Sequence, residues 1–522
     1  MKPILLLFTF VLPFLVVMQR CGSPVSENKG NKKSLHTGAT KAGHANKEAQ
    51  KKKLLQKKDK FFIPSIIRTD GRIAYLCNKK KFTDKIFPFL ENEKINSDIF
   101  IVLRDSNSVK APENLNKYDL LFQKASKETI SGNYLKPIIF VESYGRTDIC
   151  SGSGAYGIAQ FMPTTGAEYG LVKYKEVKVI KNGKTTYKKV KVYDHRNNPY
   201  LSLLAATRYL EKGDKIFGRP DFTVVSYHAG NGNVYKVIEL YLKQFHNLDI
   251  DVSSKNAREI IEKYNLSWSK IYFAARPGTR LYKKFTSMAD RSASYYFRAM
   301  TAHKMLGMTP EEFSDFYKAT RNNIDENVIA PKRYYTWYKK QGIGDEIGYI
   351  NEKIKSGEFV KIPKAASAGL LKVKIPNIKD KARLLDGQGL GLPAQAGIKN
   401  MLYYTSPEVA GTSLLVVSLF RKSFKKYFET ILVISLVRPD SLDLYSYEHE
   451  DLPLHVIGCA FDIAMPAKAE ANERLRFILT RLEELSWLSF KKNGKSYHVV
   501  ISPNKEPRRI FRKVYRESLK FH

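Results

Sequence analysis

Cysteine is scarce in this chain: four in 522 residues, at Cys21, Cys77, Cys150 and Cys459. Their spacing does not suggest a cysteine-built metal cluster. It leaves Cys77 and Cys150 as a pair that an oxidising compartment could join, a pairing that sequence cannot decide. Acidic side chains are also few beside basic ones, 51 against 88, for a formal net charge of +37. That balance favours a polyanionic neighbour: nucleic acid, anionic lipid or an anionic wall polymer. No zinc-finger spacing, RNA-binding aromatic motif or helix-turn-helix accompanies the lysines, so nucleic acid is not expected as a partner. The apolar run at residues 3–18 is shorter than the roughly 18 to 20 residues that a membrane-spanning helix wants. What is present is enough for globular cores: 43% of the residues are hydrophobic, and 522 residues leave room for two or three domains.

Lys2 followed by the apolar run at 3–18 has the form of a secretory signal, so residues 1–20 are expected to be a signal peptide or an uncleaved anchor. The expected location is the periplasm or cell envelope. A cysteine after such a run invites lipidation, but Gln19-Arg20 stand before Cys21 where a lipoprotein signal has small residues. Residues 21–60 are Lys, Asn, Ser, Ala and Gly, with Lys51-Lys52-Lys53 and Lys57-Lys58, and read as a flexible basic linker. This linker is either a polybasic arm toward anionic membrane or wall polymer, or a solvated tether without a partner.

The strongest signal is Glu142. It closes the apolar run Ile138-Ile139-Phe140-Val141 and is followed by Ser143 and by Gly154-Ala155-Tyr156-Gly157-Ile158-Ala159-Gln160-Phe161-Met162-Pro163-Thr164-Thr165. Desolvation penalises the charged form of a carboxyl at the apolar end of a buried helix. Glu142 is therefore expected to stay protonated near neutral pH, ready to act as a general acid. A second block, Ser226-Tyr227-His228-Ala229-Gly230-Asn231-Gly232-Asn233-Val234, follows a helical stretch that begins after Asn198-Pro199.

The two blocks, in this order, resemble those of the soluble lytic transglycosylases, whose fold is related to goose-type lysozyme. That family reads Glu-Ser, a small-residue stretch, Gly-Ala-x-Gly-(Leu/Ile)-x-Gln-x-Met-Pro-x-Thr, and later Ala-Tyr-Asn-Ala-Gly; His228 stands where Asn is usual. The resemblance implies a mainly α, lysozyme-like domain over 61–308, acting on peptidoglycan glycan strands without a cofactor. It implies Glu142 as the catalytic residue, and Ser143, Gln160, Met162, Tyr227, His228 and Gly230 along the substrate groove, with Gln160 and Tyr227 as polar contacts. In that family one glutamate protonates the oxygen between N-acetylmuramic acid and N-acetylglucosamine, then takes the proton of the muramyl C6 hydroxyl, leaving a 1,6-anhydro end. No second acid stands in either block; Asp148 and Asp194 are near in sequence, and the resemblance gives neither a role. A lysozyme-type muramidase and a non-catalytic peptidoglycan-binding scaffold stay open as alternatives.

Between the blocks, Val177, Val179, Tyr187, Val190 and Val192 alternate with lysines on both sides of Asn182-Gly183, a type I′ turn signal. This predicts a β-hairpin insertion beside the groove, either holding anionic groups or without a ligand. Residues 287–300 read as a helix closing the domain, with no chemistry assigned to it. Residues 309–384, with Ile362-Pro363-Lys364 and Ile375-Pro376-Asn377, read as an interdomain connection that includes some helix near Tyr334.

Residues 385–522 read as a smaller α+β domain: a buried strand at 431–437, a helix at 471–487 and a strand at 497–501. Within it His455-Val456-Ile457-Gly458-Cys459-Ala460-Phe461-Asp462 resembles the His-x-x-Gly-x-Ala-x-Asp metal motif of zinc D-alanyl-D-alanine carboxypeptidases. The resemblance implies a zinc ion on His455, Asp462 and His498, and peptide stems as the ligand that this domain binds or trims. Arg438 is placed to steady a carboxylate. That family's general base is a Glu three residues before the last His, and Lys495 occupies the position here, which favours binding over peptidase activity. The expected whole is multidomain: a signal, a linker, a lysozyme-like α domain with a hairpin, a connection and an α+β domain.

Overall fold

The computed structural model describes residues 61–77, 86–103, 105–181, 184–288, 291–322, 334, 339–367, 371–373, 400–424, 430–438 and 454–521. The signal and linker at 1–60, Cys21, the Asn182-Gly183 turn and Ile375-Pro376-Asn377 lie outside the described residues. Residues Lys60–His522 form one compact unit, mostly helical. No helix among the described residues is long and apolar enough to cross a membrane.

Helices α1 (Gly71–Cys77), α2 (Ile86–Ser97) and α3 (Asp119–Glu128) lead to α4 (Leu135–Ser143). In α4 the residues Leu135, Pro137, Ile138, Ile139, Phe140 and Ser143 are all buried, so this helix runs through the core and not over the surface. Pro137 lies in its first turn, where a missing N–H costs nothing. The helix stops where Tyr144 takes φ +54° and Gly145 φ +74°. A Cβ on Gly145 would stand 2.8 Å from Asn114 Cβ, so this exit has room only for glycine.

A short α5 (Pro163–Glu168) precedes the antiparallel strands β1 (Val172–Lys181) and β2 (Lys184–Asp194). Then come α6 (Pro199–Phe217), which packs on α4, α7 (Pro220–Ala229), which packs on α6, and α8 (Asn231–Phe245), which packs on α7. Asn198 caps α6 by accepting the amide of Leu201 at 3.1 Å, and Pro199 takes the N1 position that suits it. Helices α9 (Ala257–Lys263), α10 (Trp268–Ala274), α11 (Arg280–Ser287) and α12 (Tyr295–Leu306) complete the helical part. Of these, α12 lies along α4.

The chain continues through α13 (Pro310–Asn322) and α14 (Glu346–Lys355) to β3 (Val360–Lys361), β4 (Leu371–Val373), β5 (Tyr404–Thr405) and α15 (Pro407–Ser423). It ends with β6 (Ile431–Ser435), β7 (Ala460–Ala464), α16 (Ala469–Glu484), β8 (Leu488–Asn493), β9 (Ser496–Ile501) and α17 (Lys505–Leu519). Five strands make a sheet in the order β4-β6-β7-β9-β8, with β4 parallel to β6 and the remaining neighbours antiparallel. The strands and helix expected from apolar periodicity are present as β6, α16 and β9.

The helical part and the sheet share one apolar core, from Phe62 to Val514. Polar links cross the same boundary: Tyr272 donates its hydroxyl to Glu484 at 2.7 Å, and buried Arg481 donates to the Tyr272 carbonyl at 3.3 Å. Where the sequence reads as two domains on a connection, their apolar faces are joined. This joining also bears on the Cys77–Cys150 pairing that the sequence left open. Packing of α1 on α15 puts Cys77 Sγ 3.6 Å from Ser423 Oγ, while Cys150 is exposed in a loop, and both thiols are free.

Candidate active site

Glu142 occupies the last turn of α4 with its side chain 12% exposed. Tyr295, fully buried at the start of α12, donates its hydroxyl to Oε1 at 2.7 Å. His228, in the last turn of α7, brings Nδ1 within 3.2 Å of the same oxygen. The His228 ring stacks on that of Tyr295, with centroids 4.4 Å apart and planes 6° apart, and the Arg298 guanidinium lies over the Tyr295 ring at 5.2 Å. Three helices thus converge on one carboxyl oxygen. Both hydrogen bonds fall on Oε1, so Oε2 keeps its lone pairs for a ligand.

This geometry overturns the expectation that burial keeps Glu142 protonated. Desolvation is the largest single influence and does push the pKa up. The hydrogen bond and charge of His228, the Tyr295 hydroxyl and the positive field of Arg298 together outweigh it and hold the pKa below the ordinary carboxylate value. Glu142 is therefore a carboxylate in the free protein. Burial first, and then the Glu142 charge, push the phenols of Tyr227 and Tyr295 well above their usual range, so both remain hydrogen-bond donors. Tyr295 and Arg298 lie in the stretch to which the sequence assigned no chemistry. A tyrosine opening the run Tyr295-Tyr296-Phe297 reads as core, and only the packing of α12 on α4 reveals what its hydroxyl meets.

Ser143, expected on the groove, is wholly buried. Its Oγ donates to the Ile158 carbonyl at 2.7 Å and accepts from the Gly145 amide at 3.2 Å, tying the end of α4 to the glycine-rich loop, out of reach of a sugar. Gln160 is partly occupied in the same way. With φ +50°, it donates Nε2 to the carbonyls of Gly157 at 2.8 Å and Ile149 at 3.0 Å, so only its side-chain oxygen is left for a ligand. The Tyr227 hydroxyl donates to the Ala159 carbonyl at 2.8 Å, while its ring packs on Phe161 and Tyr209. Tyr227 therefore braces the loop beside Glu142 with its donor already in use. Met162 is 39% exposed, and nothing lies within 4 Å of the place where a Cβ on Gly230 would stand. Those two positions face open space.

Arg196 holds the loop from below. It donates to the carbonyls of Gly154 and Phe161, both at 2.8 Å, and forms a two-pronged pair with Asp194. The Arg196 hydrogen bond is the main reason that the Asp194 carboxyl is held well below its usual range. Asp194 is thus a structural partner, and Asp148 is an exposed carboxylate 3.5 Å from Arg146.

In the sheet, antiparallel β7 and β9 set Asp462 directly opposite His498, so both side chains share one face. His498 Nδ1 is 2.8 Å from Asp462 Oδ1, and His455 Nε2 is 3.5 Å from Asp462 Oδ2. Donor atoms of all three lie within 4.8 Å of one another. His455 Nδ1 is 2.6 Å from the Leu436 carbonyl, an acceptor only, which places the proton on Nδ1 and leaves Nε2 a bare lone pair. Nε2 is buried without a hydrogen-bond partner. Burial chiefly, with Arg438 adding to it, keeps His455 neutral. Burial opposes the Asp462 charge, but the two imidazoles outweigh it and hold that carboxyl below the usual range. Two imidazoles and a carboxylate form a donor set suited to zinc, and the Leu436 carbonyl fixes the His455 tautomer that such a ligand needs. Lys495 is exposed in the β8–β9 turn and offers no carboxylate.

Residues 119–247 match the family model described as Transglycosylase SLT domain. The matched stretch holds Glu142, the glycine-rich loop, the hairpin, Tyr227 and His228; Tyr295 and the sheet lie beyond it. The match covers about a quarter of the chain and supports a lytic transglycosylase domain there, a domain of lyases that act on the glycan strands of peptidoglycan. No curated protein matches the chain.

Proposed function

We propose that this protein is an exported lytic transglycosylase in which Glu142 serves first as acid and then as base. A glycan lying over the site displaces water, which favours the neutral carboxyl and lets Glu142 pass its proton to the glycosidic oxygen as the bond to the muramyl C1 breaks. The carboxylate then accepts the proton of the C6 hydroxyl while O6 closes on C1, so the product carries a 1,6-anhydro end. Tyr295 and His228 hold Oε1 throughout, which keeps Oε2 on the reacting side. One observation carries this reading: a single carboxyl is set on three helices, while Asp194 is paired with Arg196 and Asp148 stands exposed beside Arg146. A two-carboxylate glycosidase needs a second acid across the scissile bond.

Digestion of purified peptidoglycan, with mass spectrometry of the released muropeptides, tests it. The wild type should release anhydro ends, and Glu142→Gln should release them at least about a hundred-fold more slowly. Reducing ends in place of anhydro ends would make the protein a muramidase, and no release from either form would leave only a binding scaffold.

A second reading concerns the sheet. We infer that His455, Asp462 and His498 hold zinc, because the buried Nε2 of His455 has a lone pair and no protein donor. Bound zinc would supply a Lewis acid and an open position for a peptide carbonyl or water. His455 and His498 would donate ring nitrogens, Asp462 its carboxylate, and Arg438 a positive charge for a peptide carboxylate. With Lys495 in the place of a general base, the proposed role is to bind peptide stems. Metal analysis of the purified protein should find about one zinc per chain in the wild type and little in His455→Ala; equal, near-zero values would end this reading.

A further inference from the structure

The hairpin β1–β2 is the largest feature that the chemistry above leaves unused. Its strands pair with each other from Val172↔Asp194 to Lys181↔Lys184, and no third strand among the described residues joins them. Ten residues of extended chain span roughly 33 Å. The root is fixed, because Leu171 and Val172 are buried and Asp194 is locked to the Arg196 that also holds the loop beside Glu142. The hairpin is therefore mounted on the same loop as the proposed cleft.

Eight lysines stand on residues 172–194 against Glu176 and Asp194. Large apolar side chains stand in solvent among them: Tyr174, Val179, Ile180, Tyr187, Val190 and Val192 are all more than a third exposed, Ile180 and Tyr187 at 69% each. A merely solvated insertion gives no reason for that apolar surface, and a lone two-stranded hairpin gains stability by being covered.

Pairing register decides what can cover it. Residues directly opposite share a face, so one face carries Tyr174 with Lys191, Glu176 with Lys189, Lys178 with Tyr187, and Ile180 with Thr185. The other carries Lys175 with Val190, Val177 with Lys188, and Val179 with Thr186. Neither face is apolar throughout. A bilayer could not bury either one without also burying lysines. A thin polymer laid along the ribbon meets a cation at close intervals and, on the first face, two tyrosine rings against which sugars can pack.

We propose that β1–β2 is a docking arm for the anionic glycan of the wall, gripping strand outside the cleft while Glu142 cuts. The identity of the polymer rests on the transglycosylase reading; the arm itself rests on the register and exposure of the hairpin. The ligand chemistry is a sugar polymer with recurring carboxylate or phosphate groups.

The test uses the full chain carrying Glu142→Gln, so that the polymer is not consumed, sedimented with insoluble peptidoglycan before and after removal of phosphate-bearing polymers. The partner variant adds Lys175→Glu, Lys178→Glu and Lys188→Glu, three exposed positions whose reversal neutralises the hairpin. The bound fraction should fall about five-fold in the variant, and by a similar factor for the parent when salt is raised from about 0.05 M to about 0.5 M. A fall only on the untreated wall assigns the phosphate polymer, and a fall on both assigns the stem carboxylates. Tyr187→Ser should weaken binding by about two-fold at either salt concentration. With Glu142 intact, the three reversals should leave cleavage of a short peptide-free glycan unchanged, which also reports on folding. Undiminished wall binding by the reversed hairpin overturns the proposal. So does a loss seen only on anionic phosphatidylglycerol vesicles, which would make the arm a membrane contact. Failure of the wild-type chain, with Glu142 intact, to cut the short glycan would instead count against the transglycosylase reading, whatever the binding.

Discussion

At the scale of single residues, the behaviour of Glu142 is a contest between burial and its neighbours, and the neighbours win. Its folded-state pKa is depressed, so the acid form needed for cleavage is lost as pH rises through a value below the ordinary carboxylate one. His228 makes the largest opposing contribution. Taking it away in His228→Ala lets desolvation act with less opposition, the pKa rises, and the alkaline fall of kcat/KM should move to higher pH. A pH–rate profile that keeps its alkaline limb in place would show that His228 does not set the charge of Glu142. The acid and the histidine were both legible as residues. The direction of the shift was not, because Tyr295 and Arg298 approach from a helix that no local pattern connects to the site.

At the scale of elements, the glycine-rich loop works because two different glycines meet two different needs. Gly157 has φ +79°, and a Cβ there would fall 1.8 Å from the Arg196 carbonyl oxygen. Gly154 has φ +92° with nothing within 4 Å. Gly157→Ala should therefore displace the Arg196 clamp, cost about 3 kcal/mol or more and lower muropeptide release at least about ten-fold, whereas Gly154→Ala should cost only about 1 kcal/mol of backbone strain. Thermal melts of the two variants, read beside the release assay, check the ranking; equal losses would mean that strain, not the clash, governs the loop. The hairpin, the strands β6 and β9 and the helix α16 were legible because periods of 2 and 3.6 are local properties. The true role of Ser143 was not, since a serine facing a sugar and a serine facing a buried carbonyl have the same spelling.

Across the whole molecule, the shared core joins the helical part to the sheet, with α2, α15 and β8 packed on α16. Near its end, Glu483 accepts the Phe490 amide at 3.3 Å, and burial raises its pKa to about 7. A carboxyl whose folded pKa lies above its unfolded value contributes stability that is complete below the unfolded pKa and lost as pH rises through about 7. Glu483→Gln should thus flatten the dependence of melting temperature on pH between about 5 and about 8, and be the more stable form at the upper end. Parallel curves for variant and wild type would show that Glu483 ionises freely. The free thiol of Cys77 belongs to this scale as well, because its partner Ser423 lies on the far side of the boundary that the sequence suggested.

The sequence by itself determined which groups are available: a lone acid on an apolar helix, glycines that permit a tight loop, a lysine-studded ribbon, and two histidines with an aspartate in a motif that resembles a metal site. These follow from residue type and short spacing. Only the tertiary structure decided their chemical state. Glu142 receives its partners from 86 and 153 residues away, and Asp462 receives His498 across two strands from 36 away. Charge, tautomer and accessibility depend on what lies within a few ångströms, and distance along the chain does not fix that.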